Sequence, residues 1–482
     1  MRIRTSVALA ALLTAGLTPL ALPVPASAAP AEYADDFNGD GYRDLVTGAP
    51  SATVGGAAHA GAAHAGAVVV DYGSASGISA SRRTVLTQNT SGVPGTAEKG
   101  DEFGVALASG DLNNDGYADL VVGAAGEDVG SDVDGGTAVI VWGGKNGLSG
   151  GRAVPDSAPT AHDAFGTSLA VGDLNGDGKA DLAAGSNGKD IWVHQGGFTK
   201  TSGAASKYKI TAPINTGGDR GARSLASGDV NGDGADDLTV TGVYADEHTA
   251  YDGTLVYLGS HSGLIYQGVL KEFSVRSTIG DINGDGYADI VTSDFWGDSI
   301  DSLGGSISTH LGSPTGIGVE PAQTIDQDTP GVPGADESSD YFGWAISLGD
   351  INGDGYADAA VSADYETIGS ADLTGSVTLL RGSPAGLSTS STQSFSQDTV
   401  GVPGAAEDND HFGSSVSLSD LNGDGHADLS IGADGENSAD GALWSLRGAT
   451  SGITTPSAVS FGPSAVGVST SGYPHFGWQM LG

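Results

Sequence analysis

Segments of nine to ten residues rich in carboxylates recur seven times in this chain. They read DFNGDGYRDL from Asp36, DLNNDGYADL from Asp111, DLNGDGKADL from Asp173, DVNGDGADDL from Asp229, DINGDGYADI from Asp281, DINGDGYADA from Asp350 and DLNGDGHADL from Asp420. In the shared pattern D-x-N-x-D-G-x-x-D, side-chain oxygens stand at positions 1, 3, 5 and 9, a backbone carbonyl is available at 7, and the Gly at 6 permits a sharp turn. That is an oxygen cage for a hard cation. A bidentate last Asp brings the count to about six or seven oxygens, which suits Ca²⁺ better than Mg²⁺. The absence of Cys and the scarcity of His in the loops disfavour Zn²⁺. Asp and Asn can also serve only as Asx-turn formers. Seven loops that each cluster three carboxylates would repel themselves without a cation, which favours Ca²⁺. The loop is not an EF-hand, because it lacks a Glu at position 12 and its flanks read as strands.

The elements that must carry these loops show in the flanks. The seven starts lie 75, 62, 56, 52, 69 and 70 residues apart, and Phe-Gly stands eight residues ahead at Phe103, Phe165, Phe342 and Phe412. Gly221-Ala222 and Phe273-Ser274 are degenerate versions. After each loop comes a short apolar run such as Leu120-Val121-Val122, then a small-residue turn such as Gly48-Ala49-Pro50. A second β-rich run follows, for example Thr137 to Trp142 or Ser376 to Leu380. It ends at a glycine turn at Gly73, Gly143, Gly259, Gly312, Gly382 or Gly448. A fourth run, such as Arg83 to Gln88, leads to the next Phe-Gly. Four short β-rich runs per unit predict a four-stranded antiparallel sheet, and seven units predict an all-β, seven-bladed β-propeller. The first unit lacks its Phe-Gly strand while the chain finishes with one at Phe476-Gly477. The C-terminal strand is therefore predicted to complete the first blade, with Gly482 close to Asp35.

The chain has 482 residues, 19 Lys+Arg against 59 Asp+Glu, a formal charge of -40, 80 Gly and no Cys. Such acidity repels phosphate and disfavours nucleic acid and anionic membranes as partners. A 38% apolar content is ample for a packed core, and the glycines fall without a G-X-Y period, as tight turns would place them. Residues 1–28 read as a signal peptide: Arg2 and Arg4, an apolar stretch from Val7 to Leu22, and Ala26-Ser27-Ala28 at the cleavage site. Its removal leaves 17 basic residues and a net charge of -42 on residues 29–482. No later apolar run is long enough to span a bilayer. The expectation is a secreted, extracellular, monomeric propeller held together by metal ions or by closure of the fold, since disulfides are excluded.

These motifs resemble FG-GAP repeats, the units of the propeller at the N-terminus of integrin α-subunits and of many secreted bacterial FG-GAP/VCBS proteins. The resemblance covers nearly all of residues 29–482 and implies calcium in the loops between the first two strands of each blade, with ligands on the opposite face. It implies calcium ligation by Asp36, Asn38, Asp40, Tyr42 and Asp44 in the first loop, and by Asp111, Asn113, Asp115, Tyr117 and Asp119 in the second. The third is Asp173, Asn175, Asp177, Lys179 and Asp181, and the fourth Asp229, Asn231, Asp233, Ala235 and Asp237. The fifth is Asp281, Asn283, Asp285, Tyr287 and Asp289, and the sixth Asp350, Asn352, Asp354, Tyr356 and Asp358. The seventh is Asp420, Asn422, Asp424, His426 and Asp428, position 7 acting through its carbonyl throughout. The chain departs from integrins in showing no leg domains, no membrane helix and no inserted D-x-S-x-S site.

Antiparallel order puts the variable loops on the face away from the acidic loops, where recognition usually sits. Tyr244, Asp246, Glu247, Trp296, Asp298, Tyr365 and Glu366 are the ligand candidates there. Trp296 suits stacking on a sugar ring or anchoring a protein, against the plainer reading that it packs on neighbouring loops. Trp142, Trp192 and Trp444 fall in strands, and Trp344 and Trp478 follow Phe-Gly, so core packing is expected of all five. His59 and His64 lie in a repeated Ala-His-Ala-Gly-Ala tract, read as a mobile loop rather than a metal site. Gly92-Val93-Pro94-Gly95 recurs from Gly331 and Gly401 with acids such as Glu98, Asp336, Glu337, Glu407 and Asp408 behind it. It is read as a shared turn with a solvated acidic face, an extra cation site being the alternative. No H-E-x-x-H or Cys nucleophile is present and no strand-to-helix nucleophile elbow is read, so no catalytic residue is assigned. The favoured function is a calcium-binding recognition or adhesion module for an extracellular protein or glycan, the alternative a polysaccharide lyase or hydrolase, or a lectin.

Overall fold

The computed structural model describes residues 31, 33–55, 62–217, 220–245, 250–296 and 303–482. The leader segment, His59, Asp246, Glu247 and Asp298 lie outside these residues. Seven four-stranded antiparallel sheets form a ring, a seven-bladed β-propeller. The second blade shows the pattern: Leu107–Gly110 innermost, then Asp119–Ala124, Thr137–Trp142 and Ser149–Val154 at the rim. The innermost strands contact one another from blade to blade around the axis.

Composition follows this radial order. The second and third strands pack between neighbouring blades, so that every residue of Asp119–Ala124 and of Ser306–His310 is buried. The outer strands Ser206–Thr211 and Ser388–Phe395 are mostly polar and partly exposed, which discourages edge-to-edge pairing. Phe103, Phe165, Phe342, Phe412 and Phe476 are fully buried anchors between blades. The glycines beside them are steric requirements. A Cβ on Gly123 would stand 2.1 Å from the carbonyl of Gly166 in the next blade, and one on Gly48 would stand 2.5 Å from that of Gly104. The Phe-Gly of one blade thus lies directly on the Gly-Ala of its neighbour.

Closure is as expected. Gln479–Leu481 pairs with Leu45–Ala49, matching Val46 with Leu481 and Gly48 with Gln479. Gly482 lies against the Asp44 carbonyl, and the neighbouring Asp35 accepts a hydrogen bond from Ser419 of the seventh blade. The ring is therefore locked by strands from both ends of the chain. Among the described residues no helix is long and apolar enough to cross a membrane.

Candidate functional site

Six acidic segments are the hairpin between the innermost and second strands, and the first leads into the second strand of the blade that Gln479–Leu481 completes. The backbone turns through positive φ at position 6, as at Gly41 (φ 85°) and Gly116 (φ 89°). In all seven loops the position-1 carboxylate accepts the N–H of the position-6 glycine, from 2.7 Å at Gly178 to 2.9 Å at Gly41. The position-9 carboxylate accepts the N–H of the glycine that ends the third strand: Gly73 to Asp44 at 2.9 Å, Gly196 to Asp181 at 2.6 Å, Gly448 to Asp428 at 3.0 Å, and likewise in the other four. The last Asp therefore ties its own loop to the next hairpin of the blade. Gly196 is the third blade's member of this glycine series, which the sequence reading did not include.

The position-7 side chain has a packing role that spacing alone did not reveal. A Cβ on Gly39 would stand 2.6 Å from the Tyr117 ring, one on Gly284 2.6 Å from Tyr356, and one on Gly423 3.0 Å from Tyr42. Each ring covers the position-4 glycine of the preceding blade's loop, Tyr42 closing the circle onto the seventh. Main-chain bonds reinforce this, as from Ala118 N–H to the Asp36 carbonyl at 3.0 Å and from Ala427 N–H to that of Asp350 at 2.8 Å.

Among the described residues no three His, Asp or Glu side chains converge to hold a metal ion, the carboxylates at positions 1 and 9 being turned onto N–H groups. The donors still fit a hard cation. Each carboxylate oxygen keeps a second lone pair, every donor is oxygen, and the position-9 carboxylates are buried. Burial pushes Asp44 up to about 8, its N–H partners opposing and the charges of Asp36 and Asp40 adding to the rise. Asp119 and Asp237 are likewise pushed up to about 7 by burial. Asp358 and Asp428 differ in having Arg381 and Arg447 at 2.9 Å. In those two loops an Arg already stands beside the last Asp.

On the opposite face a cavity of about 860 Å³ opens at the inner-strand ends, lined by Trp296, Trp478, Arg223, Arg276 and Asp252 among others. Three of the ligand candidates occupy one repeat position. Tyr244, Trp296 and Tyr365 each stand seven residues after the last Asp of their loop, in three consecutive blades. Trp296 is 49% exposed yet also packed, its ring 5.0 Å from Phe295 and 5.5 Å from Tyr341. The series continues from Tyr341 to Tyr365 at 4.6 Å and from Tyr365 to His411 at 4.8 Å, with the Arg276 guanidinium 4.9 Å over Trp344. Tyr244 is not in a loop: its strand runs to Ala245 and pairs with Ala250–Leu258, setting Tyr244 opposite Tyr251. Glu366 accepts a hydrogen bond from Gln327 at 2.6 Å, away from the cavity lining. Trp142 and Trp444 are core residues as expected, whereas Trp478 is 39% exposed at the cavity, because Phe476 already fills the blade core.

Fold and loops together define a propeller built from seven blades that each carry one acidic loop of the same type. The FG-GAP repeat family matches residues 31–71, 103–142, 165–203, 342–380 and 412–446. The chain is an FG-GAP repeat protein with an integrin-like propeller. It is 33% identical over 152 residues to the phosphatidylinositol-glycan-specific phospholipase D of Mus musculus, covering 31% of this chain and 17% of the relative. It is 31% identical over 235 residues to integrin alpha-PS2 of Drosophila melanogaster, covering 43% of this chain and 16% of that protein. The chain thus spans about a fifth or less of the length of these curated relatives. A solved structure of the Dos1 propeller aligns at 11% identity over 68% of this chain and 67% of that one, with a TM-score of 0.37.

Proposed function

We propose that this protein is a secreted recognition or adhesion module. Calcium in its seven acidic loops braces the blades, and the opposite face engages an extracellular protein or glycan. The observation that carries the reading is the repeat position shared by Tyr244, Trp296 and Tyr365 in three consecutive blades, with Trp296 and Trp478 lining the cavity. Aromatic faces with Arg and Asp beside them offer stacking, cation–π and hydrogen-bonding contacts on a rigid frame. In the loops, the Asp, Asn and position-7 carbonyl oxygens would hold Ca²⁺, which would supply the positive charge that the buried position-9 carboxylates lack. The integrin relatives lend adhesion as the class of function.

The alternative, a polysaccharide-active enzyme or a lectin, draws on the same cavity. Its volume lies within the range of about 300–1,000 Å³ usual for ligand pockets. One experiment separates the readings: a panel of polysaccharides and matrix proteins presented in millimolar Ca²⁺, scored for retention and for new reducing or unsaturated chain ends. Recognition gives retention without products, weakened roughly tenfold, or about 1.4 kcal/mol, by Trp296→Ala. Release of products identifies an enzyme and overturns the preferred reading.

A further inference from the structure

Three blade junctions carry a second set of oxygen donors, remote from the acidic loops. They join blades one and two, five and six, and six and seven. In each, a buried Gln just past the outer strand (Gln88, Gln327 or Gln397) donates its amide N–H to a Glu of the next blade (Glu127, Glu366 or Glu436), always 39 residues later. The Glu lies eight residues after the last Asp of its acidic loop, at the far end of the second strand and so on the opposite face. Between them a buried Asp (Asp101, Asp340 or Asp410), thirteen residues after the Gln, caps the turn. It accepts the N–H of Glu98 at 2.6 Å, Glu337 at 3.1 Å or Glu407 at 2.8 Å.

The Gln oxygen makes these more than acidic turns. Gln88, Gln327 and Gln397 are 2%, 3% and 2% exposed, and in all three Oε1 is buried without a hydrogen-bond partner. An orphaned buried amide oxygen is destabilising, and the same orphan recurs in three copies. The amide itself lies in the carboxylate cluster. Gln397 hydrogen-bonds to Asp410 as well as Glu436, and the charges of Asp101 and Glu98 bear on Glu127. The final glycine of each G-V-P-G turn leaves room for that amide, since a Cβ on Gly95 or Gly334 would stand 2.9 Å from its nitrogen.

We propose that each of these junctions is a binding site for a hard divalent cation of the Ca²⁺ class, held by the Gln Oε1 with the Asp and Glu carboxylates and stapling one blade to the next. The amide turns over on binding. Without the ion its N–H is the positive neighbour of the Glu, and with the ion its oxygen becomes a ligand. An all-oxygen donor set of one amide and two carboxylates selects Ca²⁺ over softer metals. At the same repeat position the other four units carry Ala52, Lys189, Ala245 and Gly297 in place of the Glu, and no ion of this kind is proposed for them.

The sites are independent of the loop calcium, and counting ions separates the two. Native mass spectrometry of the Ca²⁺-saturated chain should show three fewer ions in the triple variant Gln88→Leu, Gln327→Leu, Gln397→Leu than in the wild type. The triple variant Glu127→Gln, Glu366→Gln, Glu436→Gln keeps side-chain shape while relieving carboxylate repulsion, and should lose the same three. An unchanged count in either folded triple variant overturns the proposal, as does a wild type that binds no ion. Asp44→Asn reports on the loops alone. A loss of one ion there with no loss in the triple variants would sink the junction sites and leave the loop reading standing, and the opposite pattern would do the reverse.

Discussion

Asp71 is a residue out of keeping with its surroundings. It ends the third strand of the first blade, has no exposed surface, and neither carboxylate oxygen has a hydrogen-bond partner. Burial pushes its carboxyl up to about 8, only the charge of Arg83 opposing. Its counterparts two residues before the glycine turn are Val141, His194, Tyr257, His310, Leu380 and Leu446, none of them an acid, and two blades place a Leu there. The folded state keeps the Asp71 proton up to about pH 8, whereas the unfolded chain releases it near 3.8. The unfolded state therefore binds fewer protons in that window, and Asp71 lowers stability as pH rises through it. Asp71→Leu should raise unfolding free energy by about 1–3 kcal/mol at pH 8, with the gain shrinking toward pH 4. Thermal melts of both proteins at the two pH values check this, and equal or lower midpoints for the variant at pH 8 would refute it.

Within the elements, what was legible in the sequence was whatever repeats in phase. The strands around each acidic loop could be placed because Phe-Gly, loop and glycine turn recur at fixed offsets, and each has a local steric cause. What could not be read depended on neighbours far along the chain. The hairpin carrying Tyr244 is longer than expected because β-forming residues continue the pairing to Ala245 and Ala250. The exposure of Trp478 follows from Phe476 taking the core position. The Gln88–Glu127 contact needs blade adjacency, since nothing in either segment alone announces the other. The glycine interlock is the sharpest case of a legible residue whose reason lies across a blade boundary. Gly123→Ala would press its Cβ to 2.1 Å from the Gly166 carbonyl, and backbone cannot rotate away as a side chain can. A cost of about 1–3 kcal/mol is expected, against a few tenths for an alanine at Gly144, where nothing lies within 4 Å. Denaturant titration of the two variants tests the contrast, and similar midpoints would show that blade spacing adapts.

At the scale of the whole molecule, an acidic ring without disulfides depends on what neutralises its loops. Extracellular Ca²⁺ modules have dissociation constants of about 10⁻⁴ to 10⁻³ M, so about 1 mM Ca²⁺ gives roughly 0.4–1.4 kcal/mol per site and about 3–10 kcal/mol over seven loops. That is comparable to the whole net stability of an ordinary domain. The pH dependence has a definite sign. Without the ion, burial holds Asp44 up at about 8, Asp119 and Asp237 at about 7 and Asp289 at about 6, all above their usual 3.8. The folded state then retains protons that the unfolded state has lost, and stability falls as pH rises from about 4 to 8. A bound cation favours the ionised carboxylates and displaces those protons, so its contribution grows over the same range. The gap in thermal midpoint between Ca²⁺ and EDTA should therefore widen steadily from pH 5 to pH 8, the EDTA curve itself sloping downward. A gap that is absent, or constant with pH, would mean that the loops hold themselves by their Asx turns alone, and that ring closure and the glycine interlock suffice to keep seven blades together.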